Sequence, residues 1–475
     1  MIMQITVVRC LLGLALFFPA GVSFAQTQGA KDRLEGFEKQ VEAFRSRLAI
    51  PALSVVVLEN QEVIWIRGFG LSDIDQRTAA TPDTVYSIAS LTKTFGATLI
   101  MQLVEQGKLD LDEPASRYSS DFEDESVKIE HLLSHTSAGV PGERFQYDGN
   151  NFDYLTAVIE EKTGKPFTIV VVETFFDPLG MSSSVPYHNV VADADKWVAS
   201  LGRERLDRFE ASLSRLAQPY SYYGAGEIVQ DTYPDRHYVG AAAGILSSVR
   251  DLAKYDIAID RHVFVSKETQ EQAWTPFVSN GGERLPYGLG WFVTDHHGQK
   301  LVWHYGHWGT GFSAMYLKVP ERNVSIILLA NSEALADIGW ADVVENSFVC
   351  SFLGLWGYAY DCAPKAEAAL TKWIEGRRAK GKLAVRVDPG ILEAYVGEYQ
   401  FETLDNRIYT ITREGDKLFF TSTGGSGKHE LYAESESTFF LKTRPYVFVF
   451  TTAEGQAPQL KIVEGSDTFL SKRIE

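Results

Sequence analysis

The stretch "SIASLTKTFGATLIMQLVEQG", Ser87–Gly107, places Ser90 and Lys93 three residues apart where a helical apolar pattern begins. Phe95, Leu99 and Leu103, with Ile100 and Val104, recur four apart, so the stretch reads as a helix with an apolar face, closed by Gly107. Residues at i and i+3 share one side of a helix. A serine hydroxyl is a weak nucleophile until a base takes its proton. A lysine amine made neutral by burial or by a cationic neighbour can do so. The free N–H groups of a helix start also favour negative charge developing on a substrate oxygen. A capping serine followed by a solvated lysine would give the same spacing, so the surroundings must decide.

Upstream, "ALSVVVLENQEVIWIRGFG" sets two apolar runs around a polar turn at Glu59–Glu62, a hairpin, after a helix near residues 31–48. Residues 1–25 read as a secretory signal: Arg9 is the only charge, "CLLGLALFF" is an apolar core too short to span a bilayer, and Ser23–Ala25 is a small-residue cleavage pattern. The chain is therefore expected to be secreted or periplasmic after cleavage, with no stable membrane insertion. Its 475 residues call for more than one domain. Hydrophobic residues at 45% and charged residues at 23% exclude long disorder, and a net charge of −17 excludes non-specific nucleic-acid binding.

Downstream, "NNFDYLTAVIEEKTG" reads as a helix capped by Asn150 or Asn151 and stopped by Gly164. Residues 185–238 lack periodicity and read either as loops around a cleft or as surface decoration. "GAAAGILSSVRDLAKYDIAID" is a turn and a helix, the runs "GLGWFVTD", "KLVWHYG", "FSAMYLKV" and "NVSIILLAN" are strands, and a helix follows at about 336–352. Cys350 and Cys362 either bridge a short loop or remain thiols. Residues 364–388 read as a charged, helical linker, and 389–475 as short strands at about ten-residue spacing, a small barrel or sandwich.

Six stretches occur in a telling order: "YSIASLTKTFGATLIMQLVEQGKLDLDEP", "IEHLLSHTSAGVP", "PGERFQYDGNNFDYLTAVIEEKTGKPF", "FFDPLGM", "GAAAGILSSVRDLAKY" and "YGLGWF". Together they resemble the serine hydrolase family that contains class C β-lactamases, D-Ala-D-Ala carboxypeptidases, D-aminopeptidases and related esterases, from about residue 34 to about residue 355. The S-x-x-K spacing is that family's nucleophile motif. The resemblance implies a two-layered α+β body, residues 26–363, with an antiparallel sheet flanked by helices and a helical lobe inserted. The C-terminal strands, through "YVGEYQF" and "STFFLK", resemble a lipocalin-like barrel, acting either as a wall or lid beside the cleft or as a stabilising accessory.

Carried over, the resemblance makes Ser90 the acylated nucleophile and Lys93 its proton partner. Tyr147 in "YDG" matches the tyrosine of a Tyr-x-Asn motif and would act as a phenolate, with its pKa depressed beside Lys93. Gly149 stands where the asparagine is usual, and Asn150 lies one place on. The third motif, His-x-Gly in esterase-like members, fits His304-Tyr305-Gly306 or His307-Trp308-Gly309. The first register ends an apolar strand and is preferred. His304 is then the motif residue, and the backbone N–H of His307 joins that of Ser90 in an oxyanion hole. A neutral imidazole in place of an ammonium favours esters or uncharged acyl groups.

His131 and His135 stand four apart, but no H-E-x-x-H glutamate accompanies them, and they are not read as a metal site. "DHHGQ", Asp295–Gln299, reads as a hairpin tip with solvated histidines. The expected activity is hydrolysis of a small-molecule or peptide ester, amide or β-lactam through an acyl-enzyme, with no cofactor. The alternative is a non-catalytic or slow-turnover penicillin-binding sensor, motivated by Gly149.

Overall fold

The computed structural model of the protein describes residues 23–475, apart from 121, 123–124, 224–226, 234–236, 309–310, 339–341, 380–383, 402–406, 424–427, 443–445, 452–457, 465–466 and 475. The expected leader lies outside the described residues up to residue 22. Helix α1 (Ser23–Arg47) leads into β1 (Ala52–Glu59) and β2 (Glu62–Asp73). Asn60 and Gln61 join the two strands at φ 53° and 64°, the mirror-image turn whose twist suits a right-handed hairpin.

A 3-10 turn, Ala89–Leu91, then opens the lobe of α2 (Thr92–Glu105), α3 (Gly149–Asp153), α4 (Leu155–Thr163), α5 (Ala194–Leu201), α6 (Arg203–Leu213) and α7 (Val249–Asp260). The chain returns through β3 (Phe292–His296), β4 (Gln299–Trp308), β5 (Phe312–Val319) and β6 (Val324–Ala330) to α8 (Ser347–Gly354) and α9 (Cys362–Ala379).

One antiparallel sheet runs in the order Thr78–Ala79, β2, β1, β6, β5, β4, β3. Its faces explain the unbroken apolar run of β1. Leu53, Val55 and Val57 enter a core with Phe37 and Val41 of α1, Phe348 and Phe352 of α8 and Leu370 of α9, whereas Ala52, Val56 and Leu58 enter the core of the lobe. A strand covered on both faces needs no polar alternation. Within the lobe, Phe95 of α2 stacks on Tyr255 (ring centroids 3.9 Å) and meets Phe175 edge-on (5.1 Å). Such a fully buried ring stabilises by about 2–3 kcal/mol.

Several local expectations shift. Residues 185–238 hold α5, α6 and a hairpin, Tyr220–Tyr223 with Glu227–Gln230. These helices bury only Trp197 and Leu201, or Leu206, Phe209 and Ser212, an apolar stripe too narrow to stand out. The expected helix at 336–352 is a single turn, Ala334–Asp337, and then α8. Asn346 divides them, donating from Nδ2 to the carbonyls of Leu335 and Ile338 while its side chain accepts from Phe348 N and Val349 N. A disulfide joins Cys350 to Cys362, between α8 and α9. Helix α9, read as linker, buries Ala366 and Leu370 against the same core.

The C-terminal domain is a nine-stranded antiparallel sheet around its own apolar cluster. Asp467–Leu470 pairs with Gln459–Glu464 and Lys472–Arg473 pairs with Gly397–Phe401, so the chain end nearly closes the sheet into a barrel. Lys442 of this domain pairs with Glu227 of the lobe hairpin at 2.5 Å.

Candidate active site

Ser90 is the middle residue of the 3-10 turn, and α2 begins only at Thr92. The cap position of α2 is Leu91, with no side-chain capping bond, so the Ser90 hydroxyl is not spent on the helix end. Ala89, buried, takes φ 47°, a left-handed conformation that costs a non-glycine residue about 1–2 kcal/mol. The surroundings hold it there. Ile88 N donates to Ile245 O, Ile245 N donates to Thr92 Oγ1, and β4 presses from the other side. Gly306 of β4 allows that approach, since a Cβ there would lie 2.0 Å from Ile88 O.

One turn on, Lys93 is 1% exposed, and its Nζ lies 3.2 Å from Ser90 Oγ and 3.2 Å from Ala242 O. The rings of Tyr147 and Phe152 stand 5.1 and 5.4 Å from the same nitrogen. The loop bearing Ala242 is tied down by α3 and α4: Ala242 N donates to Asp153 Oδ1 (3.0 Å) and Ala241 N to Thr156 Oγ1 (2.8 Å). Gly96 lets this loop rest on α2, because a Cβ there would meet Ala241 O at 2.7 Å.

Tyr147 is brought to this pair, its ring stacked near those of Tyr305 (5.8 Å) and Phe292 (6.1 Å). Its hydroxyl is buried and meets no hydrogen-bond partner at normal geometry among the described residues. Burial, and secondarily Tyr305, hold the phenol well above its ordinary range, while the nearby Ser90 hydroxyl pulls it back a little. The expected depression of the Tyr147 phenol is therefore corrected: burial moves it in the opposite direction.

His304 is fully buried. Its Nδ1–H donates to Tyr305 O (2.6 Å), so Nε2 is the bare nitrogen and accepts from Tyr287 Oη (2.9 Å). Burial first and Lys93 second push its pKa down to about 3, so the ring is neutral. With both nitrogens engaged, His304 forms a wall behind the site and offers no group to the cleft, unlike the catalytic part expected of it. The His307 side chain is exposed, with Nε2 3.4 Å from Asp337 Oδ1. Val302 of β4 enters the lobe core and Gly306 meets Ile88 O, with His304 between them on the same face of the strand.

Asp148, not either asparagine, caps α3, accepting from Asn150 N and Asn151 N. Asn150 is exposed and Asn151 Nδ2 donates to Ser137 Oγ, while Gly149 faces Lys93. His131 and His135 are held apart, each accepting a backbone N–H at Nδ1, from Lys128 and from Asp148. Among the described residues no group of three metal-ligating side chains occurs, and no helix is long and apolar enough to cross a membrane. His296, expected in solvent, is buried, its Nε2 3.2 Å from Tyr358 O, and His297 Nε2 lies 3.0 Å from Asp361 Oδ1. Sequence reasoning assigned no role to Asp153, Tyr287 or the Ala242 carbonyl, although each lies in a stretch that carries the resemblance.

The sequence profile described as Beta-lactamase matches residues 37–342. Penicillin-binding protein 4* of Bacillus subtilis (strain 168) is 24% identical over 453 residues, covering 86% of this chain and 92% of that protein. The octameric penicillin-binding protein homologue from Pyrococcus abyssi superposes with a TM-score of 0.58 at 22% identity, over 92% of this chain and 100% of that one. The D-amino acid amidase from Ochrobactrum anthropi SV3 gives 0.51 at 20% identity, over 63% and 91%. At such identities the structural likeness speaks for the fold.

Proposed function

The chain belongs to the Beta-lactamase family, and from that premise we propose that it hydrolyses a small ester, amide or β-lactam through an acyl-enzyme on Ser90. The observation that carries this reading is the 3.2 Å separation of a buried Lys93 Nζ from a Ser90 Oγ that caps nothing. Lys93 takes the hydroxyl proton as Oγ attacks the carbonyl carbon, and the C=O electron pair moves onto oxygen, held by the N–H groups of Ser90 and His307. As the intermediate collapses, the leaving group takes a proton from the Tyr147 phenol, which regains one from Lys93. Water then repeats the sequence and frees Ser90. No metal or cofactor enters this scheme.

The neutral, occupied His304 supplies no cation for a substrate carboxylate, which favours uncharged esters and amides. One observation favours a second reading, slow-turnover binding of β-lactams: Gly149 leaves the Tyr-x-Asn position without a donor. The leader pattern supports a secreted or periplasmic location. The Lys442–Glu227 contact supports the C-terminal domain standing as a wall beside the lobe hairpin, and its lipocalin likeness rests on "YVGEYQF" and "STFFLK".

Intact-mass spectrometry after p-nitrophenyl butyrate and after nitrocefin tests these readings. A Ser90 adduct that clears within minutes, absent in Ser90→Ala, is the expected result. A persistent β-lactam adduct with no ester turnover would favour the sensor, and no adduct with either reagent would refute both.

A further inference from the structure

Tyr147 sits in a loop, and the groups that fix it come from one residue. His135 follows the short helix Ile129–Leu133 and takes φ 55°, the left-handed conformation that histidine and asparagine tolerate better than most. From there its carbonyl accepts from Gln146 N (2.8 Å), and its Nδ1 accepts from Asp148 N (3.1 Å). The two bonds bracket Tyr147, whose ring lies 4.3 Å from the imidazole, centroid to centroid, and tilted by 36°.

We propose that His135 is the positioning residue of the acyl-transfer site, a clamp that aims the Tyr147 phenol at Ser90 and Lys93. The proposal rests on the acyl-enzyme reading above. A clamp of this kind needs an imidazole that stays neutral, because Nδ1 can accept only without a proton. Burial, with Lys93 and His304 nearby, drives the pKa of His135 well below its ordinary value. The proton then sits on Nε2, which is buried without a hydrogen-bond partner among the described residues, so the ring is held by Nδ1 and by aromatic faces alone.

The same bond reaches Lys93 by a second route. Asp148, fixed at its N–H by His135, caps α3 with its carboxylate. At the far end of α3, Asp153 holds Ala242 N, and the Ala242 carbonyl accepts from Lys93 Nζ.

The clamp makes a chemical distinction that packing does not. An asparagine carries Oδ1 where histidine carries Nδ1 and tolerates the same backbone, whereas glutamine carries its acceptor one bond further, near the place of Nε2. In the full chain, His135→Asn should keep kcat for p-nitrophenyl butyrate within about tenfold of the parent. His135→Gln and His135→Ala should lose about 10²-fold in kcat, the cost of a reacting group displaced by about 1 Å, with KM nearly unchanged. Because His135 works first through Tyr147 and reaches Lys93 only through α3, His135→Ala should slow a Tyr147→Phe enzyme far less than it slows the parent.

Glutamine rescuing as well as asparagine, or losses that multiply in the double variant, would overturn the clamp. Nitrogen NMR of the parent protein gives a test that needs no variant to fold: a proton on Nδ1 of His135 would also overturn it. Ser90→Ala, run alongside, separates the two claims. Hydrolysis persisting there removes the acyl-enzyme and with it any role for the clamp, whereas a dead Ser90→Ala with a fully active His135→Ala overturns the clamp alone.

Discussion

Replacing Gly149 by asparagine tests what the site lacks. Gly149 is the first residue of α3, and its φ lies outside the left-handed region, so a side chain brings no backbone strain. A Cβ there would stand 3.8 Å from Lys93 Nζ, an ordinary contact, with no closer atom in the way. The asparagine amide extends two bonds further, which brings its oxygen within hydrogen-bond reach of Lys93 Nζ and leaves its N–H groups to donate into the cleft. A donor gained by an amide or β-lactam carbonyl is worth about 1–2 kcal/mol, which is about 5- to 30-fold in kcat/KM. The assay is the quotient of kcat/KM for nitrocefin over kcat/KM for p-nitrophenyl butyrate, in which any general damage cancels. Gly149→Asn should raise the quotient by that factor, and Gly149→Ala, which fills the space without a donor, should leave it within about twofold of the parent. An unmoved quotient for Gly149→Asn, or an equal rise for Gly149→Ala, would refute the reasoning.

Three further outcomes follow from the geometry. Asp153→Ala frees the Ala242 loop and with it a Lys93 anchor; ester kcat should fall about tenfold or more while Asp153→Asn, which keeps an acceptor, retains most of it, as steady-state kinetics would show. Removing the disulfide as Cys350→Ser with Cys362→Ser should cost about 3 kcal/mol in urea unfolding, since it closes a loop of about 13 residues, and should leave ester hydrolysis at 25 °C unchanged because the bridge lies on the far face of the sheet. The third concerns acid. His304 titrates near 3 in the folded chain against an ordinary 6.5, so between those values the unfolded state binds the extra proton and stability falls as pH falls. The contribution is complete above pH 6.5, and about 4 kcal/mol of it is gone by pH 3. His304→Gln should flatten that part of the curve of melting temperature against pH.

What the sequence made legible was whatever depends on local spacing. Ser90 and Lys93 meet because three residues on a helical path bring them together. The strands of the main sheet were legible because burial on both faces leaves continuous apolar runs. Tertiary partners hid the rest. Asp153 and His135 act on the backbone N–H groups of Ala242 and Asp148, and any residue type supplies such a group, so no side-chain pattern marks the pairing. The direction of the Tyr147 shift was misjudged because spacing reveals Lys93 beside it but not the burial against Phe292 and Tyr305 that raises it. His296 resembled a solvated turn residue until the segment bearing Tyr358, 62 positions on, covered it.

The conformation of Ala89 shows why the serine–lysine pair could not be judged alone. A left-handed alanine beside the nucleophile is unfavourable locally, and nothing in "SIAS" asks for it. It persists because β4, the Ile245 segment and α2 each constrain the turn, through Gly306 against Ile88 O, Ile88 N on Ile245 O, and Thr92 Oγ1 under Ile245 N. A solvated capping serine would have no use for such a convergence. A hydroxyl that must face one amine and one carbonyl carbon at fixed angles has, since its placement then depends on the whole domain being folded. The distant stretches "GAAAGIL" and "HYG" therefore had to accompany "SIASLTK" for the spacing of Ser90 and Lys93 to carry meaning.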